Sequence, residues 1–575
     1  MLKLFEFLKP YRLTIGMVLV LIFIQSFSEL YLPTLMADIV NTGIIKGDTA
    51  YIFRVGGLML WVAAGGMVCA VISGFYSSQI AMGFGRILRE RVFGHVESFS
   101  LHEFEKVSTP SLITRTTNDI TQIQMVIMIM LRMMVGAPIM AIGGIVMAIS
   151  EDAKLSWIIV IVLPILALVI WLIAGKGVRL FKVLQTKLDN LNSVLREGLT
   201  GIRVIRAFNR THHEQKRFQE ANQDLTQMAI RINQMLAGLM PAMMLVLNFT
   251  TIAIIWFGGL RVDAGEMQIG DLMAFLQYVM QIMFAFLMAT MMFVMIPRAQ
   301  ASSERINEVL AIAPEIHDPP KPQSVGSTRG YLEFKNVSFK YPGAEEAALK
   351  EISFSASPGE VTAIIGGTGS GKSTLINLIP RFYDVTEGDI LIDGVDIREM
   401  PQERLRQQLG FVPQKAVLFT GTIAENIRFG KETATDEEVR KAAELAQATE
   451  FIAEMKEGFE TVIAQGGTNV SGGQRQRLAI ARALVRQPEI FIFDDSFSAL
   501  DFKTDARLRA ALREETAAAT VIIVAQRVNT IIDADRIIVL DEGRIAGIGK
   551  HRDLMQNCRV YREIVSSQLA EEEIA

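Results

Sequence analysis

Gly366-Gly367-Thr368-Gly369-Ser370-Gly371-Lys372-Ser373, with Thr374 next in line, is the stretch on which the reading of the whole chain turns. It matches the pattern G-x-x-x-x-G-K-[ST] in the setting that gives the pattern meaning, because an apolar strand-like run at 361–365 precedes it and a helix pattern comes after it. The spacing has a chemical reason. Glycines let backbone N–H groups approach phosphate oxygens, the helix N-terminus adds a positive dipole, Lys372 reaches the outer phosphates and Ser373 reaches Mg²⁺. A second apolar run, 490–493, ends in Asp494, placed to complete the Mg²⁺ shell. Tyr341, upstream beside Pro342, is placed to stack on the adenine ring of ATP. Strand and helix patterns alternate around these motifs, so 331–575 reads as an α/β domain that binds ATP and Mg²⁺.

The rest of the 575 residues is different material. Half of the chain is hydrophobic while charged residues still make up 21%, so apolar and polar residues are segregated into separate regions. The net charge of -4 carries no basic bias, which argues against a nucleic-acid partner. Two cysteines, Cys69 and Cys558, cannot make a disulfide framework, and the soluble part is expected in the cytoplasm. Six apolar runs crowd into the first 300 positions, at 13–36, 52–78, 126–149, 155–174, 236–259 and 271–297. Each approaches or exceeds the roughly 20 helical residues that cross a bilayer core. The expectation is an all-α transmembrane domain of six spans at 1–312, then a proline-rich linker at 313–330 with Pro314, Pro319, Pro320 and Pro322.

Met1 to Arg12 reads as a short amphipathic piece along the inner face, without a cleavage site. With the N-terminus inside, nineteen Lys and Arg residues fall in internal segments and three, Lys46, Lys154 and Arg261, in external ones. The third and fourth runs are joined by 150–154, which holds Glu151, Asp152, Ala153 and Lys154, a tight external hairpin. The internal connections 79–125 and 175–235 are helix-patterned and should extend the spans into the cytoplasm. Polar breaks near 108–111 and 209–214 are expected to hold short transverse helices that touch a soluble domain. Gln25, Glu29, Arg132, Asn248, Gln277 and Gln281 are polar residues within spans, where an ionisable group points to function. Thirteen methionines lie between Met228 and Met295, suited to repacking around varied apolar ligands and equally to ordinary helix packing.

Residues 469–477, Asn-Val-Ser-Gly-Gly-Gln-Arg-Gln-Arg, resemble the signature motif of ABC transporters. Ser498-Ala499-Leu500-Asp501 is similar to their D-loop, and Gln414 in Val-Pro-Gln to their Q-loop glutamine. With six fused spans, the resemblance to an ABC exporter half-transporter of the multidrug type covers essentially the whole chain. It implies a head-to-tail pair of nucleotide-binding domains enclosing two ATPs, each between one P-loop and the other chain's Ser471, Gly472, Gly473 and Gln474 equivalents. Gln414 is then a Mg²⁺ ligand with Ser373 and Asp494, Asp501 belongs to the nucleotide site, and the transverse breaks resemble coupling helices.

Several positions depart from the family. Asp495 stands where a glutamate normally orients and deprotonates the attacking water, and it is one methylene shorter. Gln526, in Ala525-Gln526-Arg527, stands where a switch histidine is usual, and a carboxamide carries no imidazolium charge. Ala464-Gln465-Gly466-Gly467 replaces a common Gly-Glu-Arg-Gly. An intact P-loop and signature beside two altered catalytic positions resemble the degenerate-site subunit of bacterial heterodimeric ABC exporters. Asp495, Gln526 and Gln414 are the expected catalytic positions, with hydrolysis slow at this chain's own P-loop. The expected partners are a second half-transporter carrying Glu and His at the two positions, the lipid bilayer of a bacterial cytoplasmic membrane and a small amphipathic substrate. Two rivals remain: a homodimer with Asp495 as a slow base, and a non-pumping ATP-gated membrane regulator.

Overall fold

The structure, a computed structural model, describes residues 3–323 and 329–568. It divides into two compact units, Met1–Glu97 with Thr109–Ile312, and Ser98–Ser108 with Ala313–Ala575. The linker expected at 313–330 passes through 324–328, which lie outside the described residues.

The first unit is helical. Among the described residues five helices are long and apolar enough to cross a membrane: Leu4–Ile44, Thr49–Glu97, Thr109–Glu151, Thr211–Asp263 and Ile269–Met288. The fourth expected span, 155–174, is represented by the shorter apolar stretch Trp157–Leu172 and continues into side chains outside the described set. Outward-facing apolar residues such as Phe53, Trp61, Trp171 and Trp256 cover these helices, the pattern of a surface that faces hydrocarbon. Internal glycines allow the helices to approach closely: a Cβ on Gly144 would lie 2.8 Å from Ile282, and one on Gly258 2.3 Å from Leu272.

The hairpin between the third and fourth runs is held by one carboxylate. The preceding helix ends at Glu151, Asp152 is extended, and the next helix opens at Trp157. Asp152 Oδ1 accepts from the Leu155 N–H at 2.8 Å, and its Oδ2 accepts from Arg261 Nε at 2.7 Å. Arg261 also pairs with Glu266 at 2.7 Å, so the hairpin is tied to the loop after the helix Leu239–Asp263. The internal breaks fall one turn later than their helices. Short helices occupy Leu101–Val107 and Ile202–Ala207, and the polar residues beyond them, Ser108 and Asn209, take φ of 65° and 53°. Ser and Asn thus mark where each short helix stops, because left-handed backbone ends a right-handed helix.

Leu101–Val107 belongs to the second unit. Ser100 and Glu103 form a capping box at its start, and Glu103 Oε1 also accepts from the Glu315 N–H at 3.0 Å. Glu103 is buried by these contacts, and Leu101 packs against the apolar core that holds Leu332, Phe334 and Leu349.

In chain order the strands of the second unit are β1 (Leu332–Phe339), β2 (Leu349–Ala356), β3 (Val361–Gly366), β4 (Glu387–Ile392), β5 (Val395–Asp396), β6 (Leu409–Val412), β7 (Gly421–Thr422), β8 (Val462–Ile463), β9 (Ile490–Asp494), β10 (Thr520–Val524), β11 (Arg536–Asp541) and β12 (Arg544–Gly549). They form an antiparallel sheet β2-β1-β4-β5, a six-stranded sheet β12-β11-β3-β10-β9-β6 and the small pair β7-β8. In the six-stranded sheet β11, β3, β10, β9 and β6 run parallel, and β12 closes one edge antiparallel. β9 and β10 are buried at every residue, which is why they read as unbroken apolar runs instead of alternating ones. Register sets where their loops begin: Val524 of β10 pairs with Asp494 of β9 on one side and Ile364 of β3 on the other. β9 and β10 therefore end level with Ile364, β3 runs two residues further to Gly366, and the loops leaving all three open at the same edge of the sheet, where α/β sheets bind ligands.

Replacing Asp152 with alanine strands the Leu155 amide and one face of Arg261, at an expected cost of about 1–3 kcal/mol. Thermal unfolding of the detergent-solubilised chain should show a lower Tm for Asp152→Ala. An unchanged melting curve would contradict the role given to this hairpin.

Candidate nucleotide-binding site

The loop between β3 and the helix Lys372–Leu378 is built by its glycines. Gly369 and Gly371 have φ of 82° and 98°, values a side chain resists. A Cβ on Gly366 would lie 2.2 Å from the Leu540 carbonyl oxygen, so β11 sets how close the loop can sit. Gly367 and Gly369 have no atom within 4 Å of an added Cβ, so their backbone faces open space. Lys372 Nζ bridges the carbonyls of Gly366 and Gly367 at 2.8 and 2.7 Å, holding the ammonium across the loop mouth. Burial lowers the pKa of Lys372, while Asp494 and Asp495 pull it the other way. Ser370 Oγ is buried and has no hydrogen-bond partner among the described residues.

The carboxylate beside the loop is perturbed by its surroundings. Asp494 closes β9 at 7% exposure, and its carboxyl is pushed up to about 6 from an ordinary 3.8, first by burial and then by the charge of Asp495. The Ser373 hydroxyl and the Lys372 ammonium act in the opposite direction. A cation at this place would relieve the desolvation that raises it. Among the described residues no group of three or more His, Cys, Asp or Glu could hold a metal. The set present, one serine hydroxyl and one carboxylate next to a phosphate-shaped loop, suits Mg²⁺, which binds through one or two carboxylates together with substrate phosphates.

All three positions expected to serve catalysis meet on one atom. Gln526 Nε2 donates to Asp495 Oδ2 at 2.9 Å, and Gln414 Nε2 lies 3.4 Å from the same oxygen. Asp495 has φ of 46°, and its N–H donates to the Val524 carbonyl at 2.9 Å, so the chain turns sharply as it leaves β9. Sequence reasoning missed Gln568. Its Nε2 donates to the Gln526 carbonyl at 2.7 Å, and its Oε1 accepts from the Val528 N–H at 2.9 Å. No local motif marks it, since it lies forty-two residues beyond Gln526; only its place on the stripe Tyr561, Val565, Gln568 of one helix hints at an inward role.

Tyr341 Oη and Thr374 Oγ1 are 3.0 Å apart, and the Tyr341 ring sits edge-on to Phe339 and Tyr383, beside the helix that opens at Lys372. Ser471 caps the helix Gly472–Leu484: its Oγ accepts from the Gln474 N–H at 3.2 Å, and Gln474 Oε1 accepts from the Ser471 N–H at 2.9 Å. Gly472 has open space at its Cβ position, while Gly473 lies against the Ala499 carbonyl. Asp501 caps the helix Phe502–Glu515 by accepting from the Thr504 N–H at 2.9 Å, a bond that lowers its pKa. Among the described residues no hydrogen bond joins 471–474 to the loop 366–373.

In the first unit, Gln25, Glu29, Arg132, Gln277 and Gln281 line a cavity of about 880 Å³ with Met59, Met128, Met133, Met140, Met280 and Met288. Asn248 is not among its lining residues. Gln25 Nε2 donates to the Glu29 carboxylate at 3.0 Å, and Gln281 Nε2 to the Glu29 carbonyl at 3.2 Å.

A helical unit of membrane-spanning type followed by an α/β domain with a phosphate loop at its strand ends defines a transport ATPase. Comparison with known proteins agrees. The family pattern described as the ABC transporter transmembrane region matches residues 15–286, and that described as ABC transporter matches 349–498. An uncharacterized ABC transporter ATP-binding protein of Mycobacterium tuberculosis is 44% identical over 98% of this chain and 97% of its own. A Bacillus subtilis protein described as a probable multidrug resistance ABC transporter ATP-binding/permease protein is 33% identical over 98% of this chain and 96% of its own. An ATP-dependent lipid A-core flippase of Desulfotalea psychrophila is 33% identical over 85% of each chain. The solved structure of a bacterial Atm1-family ABC exporter with ATP bound is similar at a TM-score of 0.81 and 27% identity, covering 98% of this chain and 99% of that one. The chain belongs to the ABC transporter family, as a membrane-embedded, exporter-type ATPase coupled to transport, with its nucleotide-binding domain in the cytoplasm.

The raised Asp494 carboxyl has a definite sign. A group whose pKa rises on folding favours the folded state fully below its unfolded value near 3.8, and this contribution is lost as pH climbs through about 6. At pH 8, without nucleotide, Asp494→Asn should therefore raise domain stability, on the order of 1–3 kcal/mol. The gain should fade as pH falls below about 6. Denaturant unfolding at both pH values checks this, and a destabilised variant at pH 8 would contradict the burial argument.

Proposed function

We propose that this chain is one half of a heterodimeric exporter that holds ATP at a slow site and completes a fast site on its partner. In this reading the transmembrane domain spans 1–312 with six crossings, the linker 313–330, and the nucleotide-binding domain 331–575. The phosphates of ATP lie on Gly366, Thr368, Gly369, Ser370, Gly371, Lys372 and Thr374, the adenine on Tyr341, and Mg²⁺ on Ser373, Asp494 and Gln414. Ser471, Gly472, Gly473, Gln474 and Asp501 face the partner's nucleotide.

The single observation that carries the reading is the oxygen shared by two carboxamides. Asp495 Oδ2 is contacted by Gln526 at 2.9 Å and Gln414 at 3.4 Å. A base must reach the water it deprotonates, and its side chain here is one methylene short, with carboxamides that do not titrate as its neighbours. Gln526 can hydrogen-bond a phosphate but brings no positive charge to the transition state. ATP binding favours a closed pair of domains because it contacts both, and hydrolysis on the partner side releases them. The cavity lined by Met residues with a carboxylate and a guanidinium supports an amphipathic cargo. So do relatives named for multidrug resistance and for a lipid A-core flippase.

The purified full-length chain alone is expected to be nearly silent in steady-state ATPase assays. The double variant Asp495→Glu/Gln526→His should raise its turnover by roughly 10²-fold, the scale of general-base catalysis. Vigorous turnover by the wild-type chain alone would contradict the heterodimer and favour a homodimer that uses Asp495. Absence of ATP-dependent uptake by inside-out vesicles bearing the assembled pair would instead favour a non-pumping regulator.

A further inference from the structure

In the helix Arg559–Gln568, Gln568 reaches the switch segment after β10. Tyr561 and Val565 are fully buried in the same core that holds Val528 and Ile531, and His551 Nδ1 lies 2.8 Å from the Tyr561 hydroxyl. Four residues and then three separate Tyr561, Val565 and Gln568, so the two anchors and the glutamine share one face of the helix. The backbone that Gln568 reaches is where the parallel ladder runs out. The Ala525 N–H donates to the Ile364 carbonyl at 3.1 Å, and the segment then enters a short turn at Val528–Thr530. At that point the Gln568 carboxamide takes both the Gln526 carbonyl, at 2.7 Å, and the Val528 N–H, at 2.9 Å, as a neighbouring strand would. Arg527, between them, reaches the Ser498 carbonyl at 3.4 Å.

We propose that Gln568 is a positioning residue for ATP hydrolysis, holding the 526–528 backbone in the place that lets the Gln526 side chain meet Asp495. It touches neither nucleotide nor metal and acts through Gln526. Two bonds on adjacent backbone groups fix both position and twist of the segment, whereas one bond would leave it free to rotate. The C-terminal helix thereby becomes part of the switch. This inference rests on the reading of Asp495 and Gln526 as the pair that faces the attacking water.

The test is single-turnover hydrolysis of radiolabelled ATP by the full-length chain assembled with its partner, the partner's own catalytic glutamate replaced by glutamine so that only this chain's phosphate loop turns over, with ATP affinity measured alongside. Gln568→Ala should slow hydrolysis by roughly 3- to 30-fold, as misplacement of a reacting group does. ATP affinity should not change, because the phosphate loop is untouched. Gln568→Glu keeps the oxygen that accepts from Val528 and loses the N–H that donates to Gln526, so it should fall between Gln568→Ala and wild type. The decisive variant is Gln526→Ala/Gln568→Ala: a positioning role predicts no loss beyond Gln526→Ala alone. Additive losses, or no effect of either Gln568 variant, would overturn the inference while leaving the reading of the Asp495 site intact. If Gln526→Ala and Asp495→Asn themselves leave the single-turnover rate unchanged, that reading falls, and the inference with it.

Discussion

The register of β3, β9 and β10 is the constraint on which the rest of the nucleotide-binding unit depends. Pairing of Val524 with Asp494 and with Ile364 puts three loop openings side by side, and each carries one chemical component. From β3 comes the phosphate loop, from β9 the two carboxylates, from β10 the switch glutamine. Slipping β10 by one residue would turn its side chains to the opposite face of the sheet and carry Gln526 away from Asp495. The ladder is secured by the apolar interiors of these strands, each buried Val, Ile or Phe contributing about 1.5–3 kcal/mol. The same burial desolvates the site at its edge, and this is why Asp494 is raised and Lys372 lowered.

Backbone conformation then aims the groups that burial has assembled. Asp495 occupies left-handed backbone at φ 46°, a region that aspartate tolerates better than most residues. That turn swings its carboxylate out of line with β9 and toward the gap where Gln414 and Gln526 meet. The altered residues thus retain a connected geometry: the substituted positions form a hydrogen-bonded set and are not scattered.

The parts legible in the sequence were those whose meaning is local. The phosphate loop declares itself because glycine, lysine and serine occur at fixed spacing after an apolar strand, and the structure puts Lys372 across that loop as the spacing requires. The buried strands were legible for the same reason, as was the hairpin at Asp152, where a short polar stretch interrupts two apolar runs. The transverse helices were displaced by several residues because Ser108 and Asn209 signal an end and not a middle. The fourth of the six expected spans lies within the helix Trp157–Thr200, which begins with the apolar stretch Trp157–Leu172. Gln568 and Glu103 were invisible, since each acts on backbone groups that only tertiary structure brings near. Glu103 has capping-box spacing with Ser100 and Gln568 shares a helix face with Tyr561 and Val565, but neither pattern names the distant backbone group that the side chain reaches.

The central claim is that the two nucleotide sites of the working transporter are unlike, which requires two unlike chains. The most direct measurement is the subunit composition of the complex isolated from native membranes through a tag on this chain, with each subunit sequenced by mass spectrometry. The predicted result is equal amounts of this chain and a second half-transporter that carries glutamate and histidine at the positions of Asp495 and Gln526. Recovery of a complex containing two copies of this chain alone, active in transport, would contradict it.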